Sequence, residues 1–481
     1  MTGAPVREDD ARPTEHDSAA ALPFEPHDGS ALYVTGEHLA TPRGALATGP
    51  LGATILRLAL PAVASMLLMT IFTSVDAYWV GTRIGSPGLA ALTASVFWVW
   101  LVIGIGELVG VGLTALAARR HGEGRSAEAA RVSGEALVFS LLLGVAVTIL
   151  GRATLPLLFR LMATSPEVTA LGMRYLGTYF FGVPFHFAFF VVDATFRARG
   201  DARTPFLLLA TSVAATLVLD PMLIMGLAGL PALGIAGAAI ASVATRAIVF
   251  GIGLVLLARS RAMTFGPTRT ATFRTIARVG LPTAATGVVF SLIYVAVARI
   301  ATPFGTPALA ALGIGHRVES WLYMVGVGVA AAVAAIVGQS LGAGDPARAA
   351  RAGWVSVGYV SVLGLVVCAA QLLFAERMSA LFTHDALVVA EGARYLRIAA
   401  LSQLFITSEI VLEGALGGAG ATVAPMLTST SISALRIPLA VVSVSRWGTP
   451  GLWWTISLTA VGRALAMMLL WRSGRWQRRS M

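Results

Sequence analysis

Two carboxylates, Asp76 and Asp220, stand inside long apolar runs of the chain. An acid in a hydrocarbon environment costs at least ~2.5 kcal/mol on insertion scales, so it is retained for a reason. Counted along the helices that must carry them, both fall toward the same outer side of the first half of the chain. Two carboxylates in a low-dielectric cavity cannot both ionise cheaply, and such a pair can carry a proton. The bland readings are a helix-end acid reaching interfacial water for Asp76 and a partner of the kink at Pro221 for Asp220. Glu107 and Glu319 also lie within apolar runs and are candidates to line a substrate cavity, whereas Glu135, Asp193 and Glu413 lie near helix ends, where pairing with Arg is expected. Aromatic residues including Tyr78 and Phe185 could hold a cation over their rings or form an interfacial belt, and both readings stay open. Pro61 removes a backbone hydrogen bond within the first run and is either a hinge or a static kink.

The elements around these residues follow from composition. Of 481 residues, 56% are hydrophobic and 12% charged, and mean hydropathy is +0.79. Soluble domains carry about 25% charged residues, so the solvent for this chain is a bilayer. All 35 basic residues are Arg, and they concentrate in short loops, as topology determinants do, rather than in a nucleic-acid-binding patch. The single Cys368 excludes an intrachain disulfide and a cysteine-based metal site. There is no phosphate-binding loop, no zinc helix and no nucleophile elbow, so neither ATP drive nor hydrolase chemistry is expected, and no cofactor.

Twelve apolar runs predict twelve transmembrane helices: 53–80, 89–118, 133–158, 168–194, 204–226, 234–258, 276–300, 308–338, 353–375, 388–416, 425–445 and 450–471. With both termini cytosolic, 22 Arg fall inside and six outside, which orients the chain as a multi-pass protein of the cell (inner) membrane. Residues 1–52, polar and without apolar periodicity, are expected to form a disordered cytosolic tail, and 472–481 a basic one.

The chain also repeats itself. Leu89-Ala90-Ala91-Leu92 recurs as Leu309-Ala310-Ala311-Leu312 and Arg174-Tyr175-Leu176 as Arg394-Tyr395-Leu396, at one and the same spacing. Gly200 and Pro205 recur at that spacing as Gly420 and Pro425, and Leu60-Pro61 recurs as Leu281-Pro282 with the spacing longer by one. Two six-helix lobes are predicted, residues 53–258 and 276–471, joined by a cytosolic linker at 259–275. An even number of helices gives both lobes the same sense and relates them by a pseudo-two-fold axis along the membrane normal. Tandem lobes around a cavity point to a monomeric transporter of small molecules, in contact with lipids.

Val75-Asp76, Val80-Gly81, Arg197-Ala198-Arg199-Gly200-Asp201, Leu219-Asp220-Pro221, Val337-Gly338-Gln339-Ser340 and Glu413-Gly414-Ala415-Leu416 resemble motifs of the multidrug and toxic compound extrusion family, over roughly residues 53 to 471. Leu219-Asp220-Pro221 is most similar to its DinF-like branch. The resemblance implies an antiporter that exports organic cations, drugs or amphiphilic metabolites in exchange for protons or sodium ions. It implies an ion-coupling site of Asp76, Thr216, Asp220 and Ser242, with oxygen ligands suited to sodium as the alternative to a proton. Thr216 stands where Asn is usual in that branch, which favours protons. Val297 occupies the place of Asp76 in the repeat, so the second half has no matching acid. The competing expectations are a flippase for lipid-linked saccharides, for which Arg246, Arg317 and Arg463 are the deep Arg candidates, and an integral membrane lipid-modifying enzyme.

Overall fold

A computed structural model describes residues 46–84, 86–161, 166–382 and 385–478. The tail residues 1–45 lie outside the described residues. The protein is all-α. Its long helices are α1 (Leu51–Ile84), α2 (Ser86–Gly122), α3 (Ser126–Leu161), α4 (Pro166–Ala198), α5 (Arg203–Met225), α6 (Ile235–Arg259), α7 (Thr270–Ala301), α8 (Gly305–Gly342), α9 (Pro346–Ala380), α10 (Ala386–Gly418) and α11 (Val423–Arg472). Among the described residues these 11 are long and apolar enough to cross a membrane. Helix is the natural solution, because a bilayer offers the backbone no hydrogen-bond partners.

Two predicted runs, 425–445 and 450–471, fall within the single α11. At 50 residues it would span about 75 Å if straight, against a hydrocarbon core of about 30 Å. It is not straight. Gly448 adopts φ 61° and ψ −146°, a backbone conformation closed to residues with a Cβ, and breaks the helix. Side-chain pairs placed symmetrically about the break show that the two arms fold back on each other. The Ser443 and Thr455 hydroxyls lie 2.8 Å apart, Arg436 donates to Thr459 at 2.8 Å, and Arg463 to Ser433 at 3.1 Å. Gly234, which opens α6, has nearly the same angles, φ 59° and ψ −136°. Gly448 is therefore its counterpart, after a shorter loop.

The end of α2 and the start of α3 extend beyond the predicted runs, where polar residues are paired locally. Arg125 binds Glu128 at the start of α3, and Arg120 binds Glu123 at 2.7 Å just beyond α2. Burial pushes the Glu123 carboxyl up, but the hydrogen bond and charge of Arg120, helped by Arg125 and Arg119, outweigh it and hold the group below its usual range.

Packing repeats across the halves. Within the first, α2 packs on α3 and α4, and α1 on α5; within the second, α8 packs on α9 and α10, and α7 on α11. Between them, α1 meets α8 and α7 meets α2, while α2 meets α8. Exchange of α1 with α7 and α2 with α8 leaves this set of contacts unchanged. Where α2 and α8 end, a Cβ on Gly122 would strike the carbonyl oxygen of Gln339, and a Cβ on Gly342 would strike that of Arg119. Each contact is the repeat counterpart of the other. Small residues let membrane helices approach backbone to backbone.

The seam is also laced by the segment before α1. Arg348 of α9 donates to the carbonyls of Leu46, Thr48 and Gly49 at 3.0, 2.8 and 2.9 Å. The Gln339 side chain accepts from the Leu46 N–H at 3.1 Å and donates to the Ala198 carbonyl at 2.6 Å. Leu46 is buried. Leu46, Thr48 and Gly49, within the stretch expected to belong to the tail, thus pack against α8 and α9.

Gly-to-Ala substitution inside a helix ordinarily gains up to about 1 kcal/mol. Gly122→Ala and Gly342→Ala should do the opposite and lower the melting temperature of the purified protein by several degrees. Gly104→Ala, where a Cβ meets open space, should leave it unchanged or raise it. Equal responses at the three positions would contradict the backbone contact.

Candidate functional site

In the first half, α5 carries Thr216 and Asp220 one turn apart, on one face of the helix. Both are buried, Asp220 completely. α6 carries Ser242, Thr245 and Arg246 opposite them. The Thr216 and Thr245 hydroxyls lie 2.8 Å apart. Thr216 also reaches the Ser212 carbonyl at 2.8 Å, and Thr245 the Ala241 carbonyl at 2.9 Å. One hydroxyl therefore donates to the other while the second donates to its own helix. Thr245, not anticipated from sequence, is the α6 partner of Thr216, one turn beyond Ser242, whose carbonyl it also approaches at 3.2 Å.

Arg246 is buried, with its guanidinium 5.3 Å from the centre of the Phe189 ring and 3.8 Å from the sulfur of Met69. Met69 is two turns before Asp76 on α1, and α1 packs against α5. The side chains of Asp76 and Tyr78 lie outside the described residues. α1 continues without a break through Pro61, and Ser65 donates to the Pro61 carbonyl at 3.0 Å. α7 has the same device: Thr286 donates to the Pro282 carbonyl at 3.0 Å. The proline is thus shared with the helix that has buried Val297 in place of the acid.

Glu107 is exposed midway along α2, with Asp193 near enough to act on it electrostatically. Asp193 pairs with Arg197 at 2.8 Å, and Glu135 lies 3.7 Å from Arg131, as their positions near helix ends suggested. Glu413 has no ion pair among the described residues; the charges of Glu409 and Arg463 act on it. Phe185 tilts against Phe250 of α6 with ring centres 6.3 Å apart. Its neighbour Phe181 is exposed under the Arg152 guanidinium, 4.3 Å away, as in an interfacial belt.

The second half holds a denser polar cluster than sequence reading anticipated. Glu319 accepts from the Tyr395 hydroxyl at 3.1 Å and from the Gln403 amide at 3.3 Å. Glu409 pairs with Arg463 at 3.3 Å and accepts from Ser429 at 3.2 Å. Arg436, 2% exposed, donates through Nε to Thr459. Placing the repeat one residue on another could have found these groups: Arg436 occupies the place of Thr216, and Thr459 stands to Gly448 as Thr245 stands to Gly234. No group of three or more His, Cys, Asp or Glu suited to a metal ion occurs among the described residues.

The two halves should differ in tolerance. Thr245→Val leaves Thr216 bonded to its own helix, and interhelical hydrogen bonds in membranes average about 0.6 kcal/mol, so the loss should be small. Glu409→Ala strands a buried guanidinium and should cost about 3–5 kcal/mol. Denaturation of the purified variants checks the order; an equal loss would refute it.

Comparison with known proteins adds an independent line. The MatE family model matches residues 61–222 and again 282–442, one match in each half. A probable multidrug resistance protein NorM of Deinococcus radiodurans is 30% identical over 444 residues, covering 87% of this chain and 95% of that protein. A probable multidrug resistance protein NorM of Thermotoga maritima is 28% identical over 439 residues, covering 89% and 93%. A variant of the transporter VcmN from Vibrio cholerae has the same fold, with a TM-score of 0.82 at 20% identity over 89% of this chain and 99% of that one.

Proposed function

The chain belongs to the multidrug and toxic compound extrusion (MATE) family of membrane transporters, and from that premise we propose that it is a secondary antiporter, exporting organic cations, drugs or amphiphilic metabolites in exchange for protons. The observation that carries the proposal is Asp220, fully buried on α5 one turn from Thr216, in the half whose first helix bears Asp76. A carboxylate there is costly when charged and is relieved by a proton or a cation, which makes its occupancy a natural control on helix packing.

Residues 53–258 and 276–471 act as the two lobes, related by a pseudo-two-fold axis along the membrane normal, and alternate access by moving against each other. The reciprocal contacts of α1 with α8 and of α7 with α2 support this. Both termini are cytosolic and the protein sits in the inner membrane, as the Arg distribution favours. The backbone contacts at Gly122 and Gly342 then close the cytosolic side of the seam. Asp76, Asp220, Thr216 and Ser242, with Thr245, form the ion-coupling site. Protonation removes a buried charge, lets α1 repack against α5 and loosens the hold on a cationic substrate. Glu107 and Glu319 are candidates to meet that substrate, with Tyr78 and Phe185. Pro61 is the position at which α1 would bend. Sodium is the alternative coupling ion, through carboxylate and hydroxyl oxygens.

A lipid-linked saccharide flippase would need free guanidinium groups for a pyrophosphate. Of the three deep candidates, Arg463 is instead closed against Glu409 and Arg246 lies over Phe189.

Transport into everted vesicles separates the possibilities. Asp76→Asn should abolish gradient-driven export while substrate binding persists. Asp220→Asn should reduce export more than about tenfold, equivalent to ~1.4 kcal/mol. Val297→Ala should stay near the parent. Full activity of Asp76→Asn would sink the mechanism, and strict dependence on sodium at a fixed pH gradient would replace the proton as the coupling ion.

A further inference from the structure

The duplicated fold supplies an internal control, because each buried position in one half has a counterpart in the other. The Thr216–Thr245 hydroxyl contact of 2.8 Å corresponds to the Arg436–Thr459 contact of 2.8 Å, with a guanidinium in place of a hydroxyl. Phe189, under Arg246, corresponds to Glu409, which meets Arg463. Leu209, Val213 and Val249 lie in one apolar cluster of the first half. Their counterparts are Ser429, Ser433 and Arg463. Conversely, Asp220 and Asp76 correspond to Ala440 and Val297, both buried. An apolar layer in one half has become a closed ion-pair layer in the other.

We propose that Arg463, with Arg436 beside it, is a tethered counter-cation that neutralises the buried Glu409 of the second half, so that this acid takes up no ion from solution and the coupling acids are those of the first. The proposal rests on the reading of Asp76 and Asp220 as the coupling acids. Arg463 is held by three groups at once: the Glu409 carboxylate at 3.3 Å, the Ser433 hydroxyl at 3.1 Å and the face of Phe290, 5.2 Å to the ring centre. Ser429 donates to the second carboxylate oxygen of Glu409. Both members of the pair are buried. A guanidinium stays protonated at any physiological pH, so the pair needs nothing from solution to remain neutral overall. Its departure would strand a buried carboxylate, which is far more costly than keeping the pair. A covalently attached cation also outcompetes a free one through its effective concentration. Arg436 lies within electrostatic reach of both Glu319 and Glu409. In the first half, the buried Arg246 is engaged differently, with an aromatic ring and a thioether.

Chemical rescue tests the assignment on the purified full-length protein. Arg463→Ala should lower the melting temperature by several degrees. Millimolar methylguanidinium chloride should restore a large part of the loss, more than sodium chloride does at equal ionic strength. The rescue should vanish in Glu409→Gln/Arg463→Ala. Should Arg463→Ala not fold, Arg463→Lys and Arg463→Gln ask the same question. The charged variant should melt near the parent and the neutral one well below it. These measurements need no transport substrate, so they stand or fall apart from the proposed export activity. In proteoliposomes, the neutral pair Glu409→Gln/Arg463→Met should keep the parent's ratio of gradient-driven to passive transport. Loss of that ratio while substrate binding persists would overturn the proposal by showing that this pair takes part in ion exchange. Absence of methylguanidinium rescue in a folded Arg463→Ala, or equal melting of the Lys and Gln variants, would overturn it too.

Discussion

The backbone contact between α2 and α8 sets the rest of the molecule. At Gly122 and Gly342 the two helices meet with no side chain between them, each glycine against the opposite carbonyl. In a bilayer, apolar side chains gain nothing by leaving lipid for protein, so helix association relies on close packing and polar contacts. The contact is made twice, once from each copy of the repeat. The same seam positions α1 against α8 and α7 against α2. It also fixes Gln339, which holds both the Leu46 N–H and the Ala198 carbonyl.

Equivalent backbones leave the chemistry to individual substitutions. α5 and the first arm of α11 occupy matching places, yet one presents Thr216 and Asp220 where the other presents Arg436 and Ala440. α4 presents Phe189 where α10 presents Glu409. A site needs rigid elements to hold it, and here the same scaffold is used for two arrangements of charge. The first half buries a carboxylate beside a pair of hydroxyls, while the second closes an acid onto a guanidinium.

Much of this was legible in the chain. Apolar runs without enough charge for water impose a membrane fold, and their length imposes helices, because a bilayer satisfies no backbone hydrogen bonds. The repeat was visible at Pro61 and Pro282 and at Gly200 and Gly420, because turns and kinks demand particular residues and so leave a mark in the sequence. Asp76, Asp220, Glu107 and Glu319 announced themselves as acids in apolar surroundings. Pairings were not legible. Thr245 reads as an ordinary helical threonine, and only the approach of α6 to α5 makes it the partner of Thr216.

By itself, then, the sequence determined the solvent, the helical class, the duplication and the positions of acids within apolar runs, since each follows from residue type and local spacing. Tertiary structure decided what neutralises what. Glu409 and Arg463 lie on different helices, far apart in the chain, and so do Glu319 and Gln403. Whether such groups meet depends on helix rotation and crossing, which no local pattern encodes. It also decided that a single glycine suffices to turn α11 back on itself. Gly448 can adopt a backbone conformation closed to other residues, but only the neighbouring helices determine that the chain reverses there.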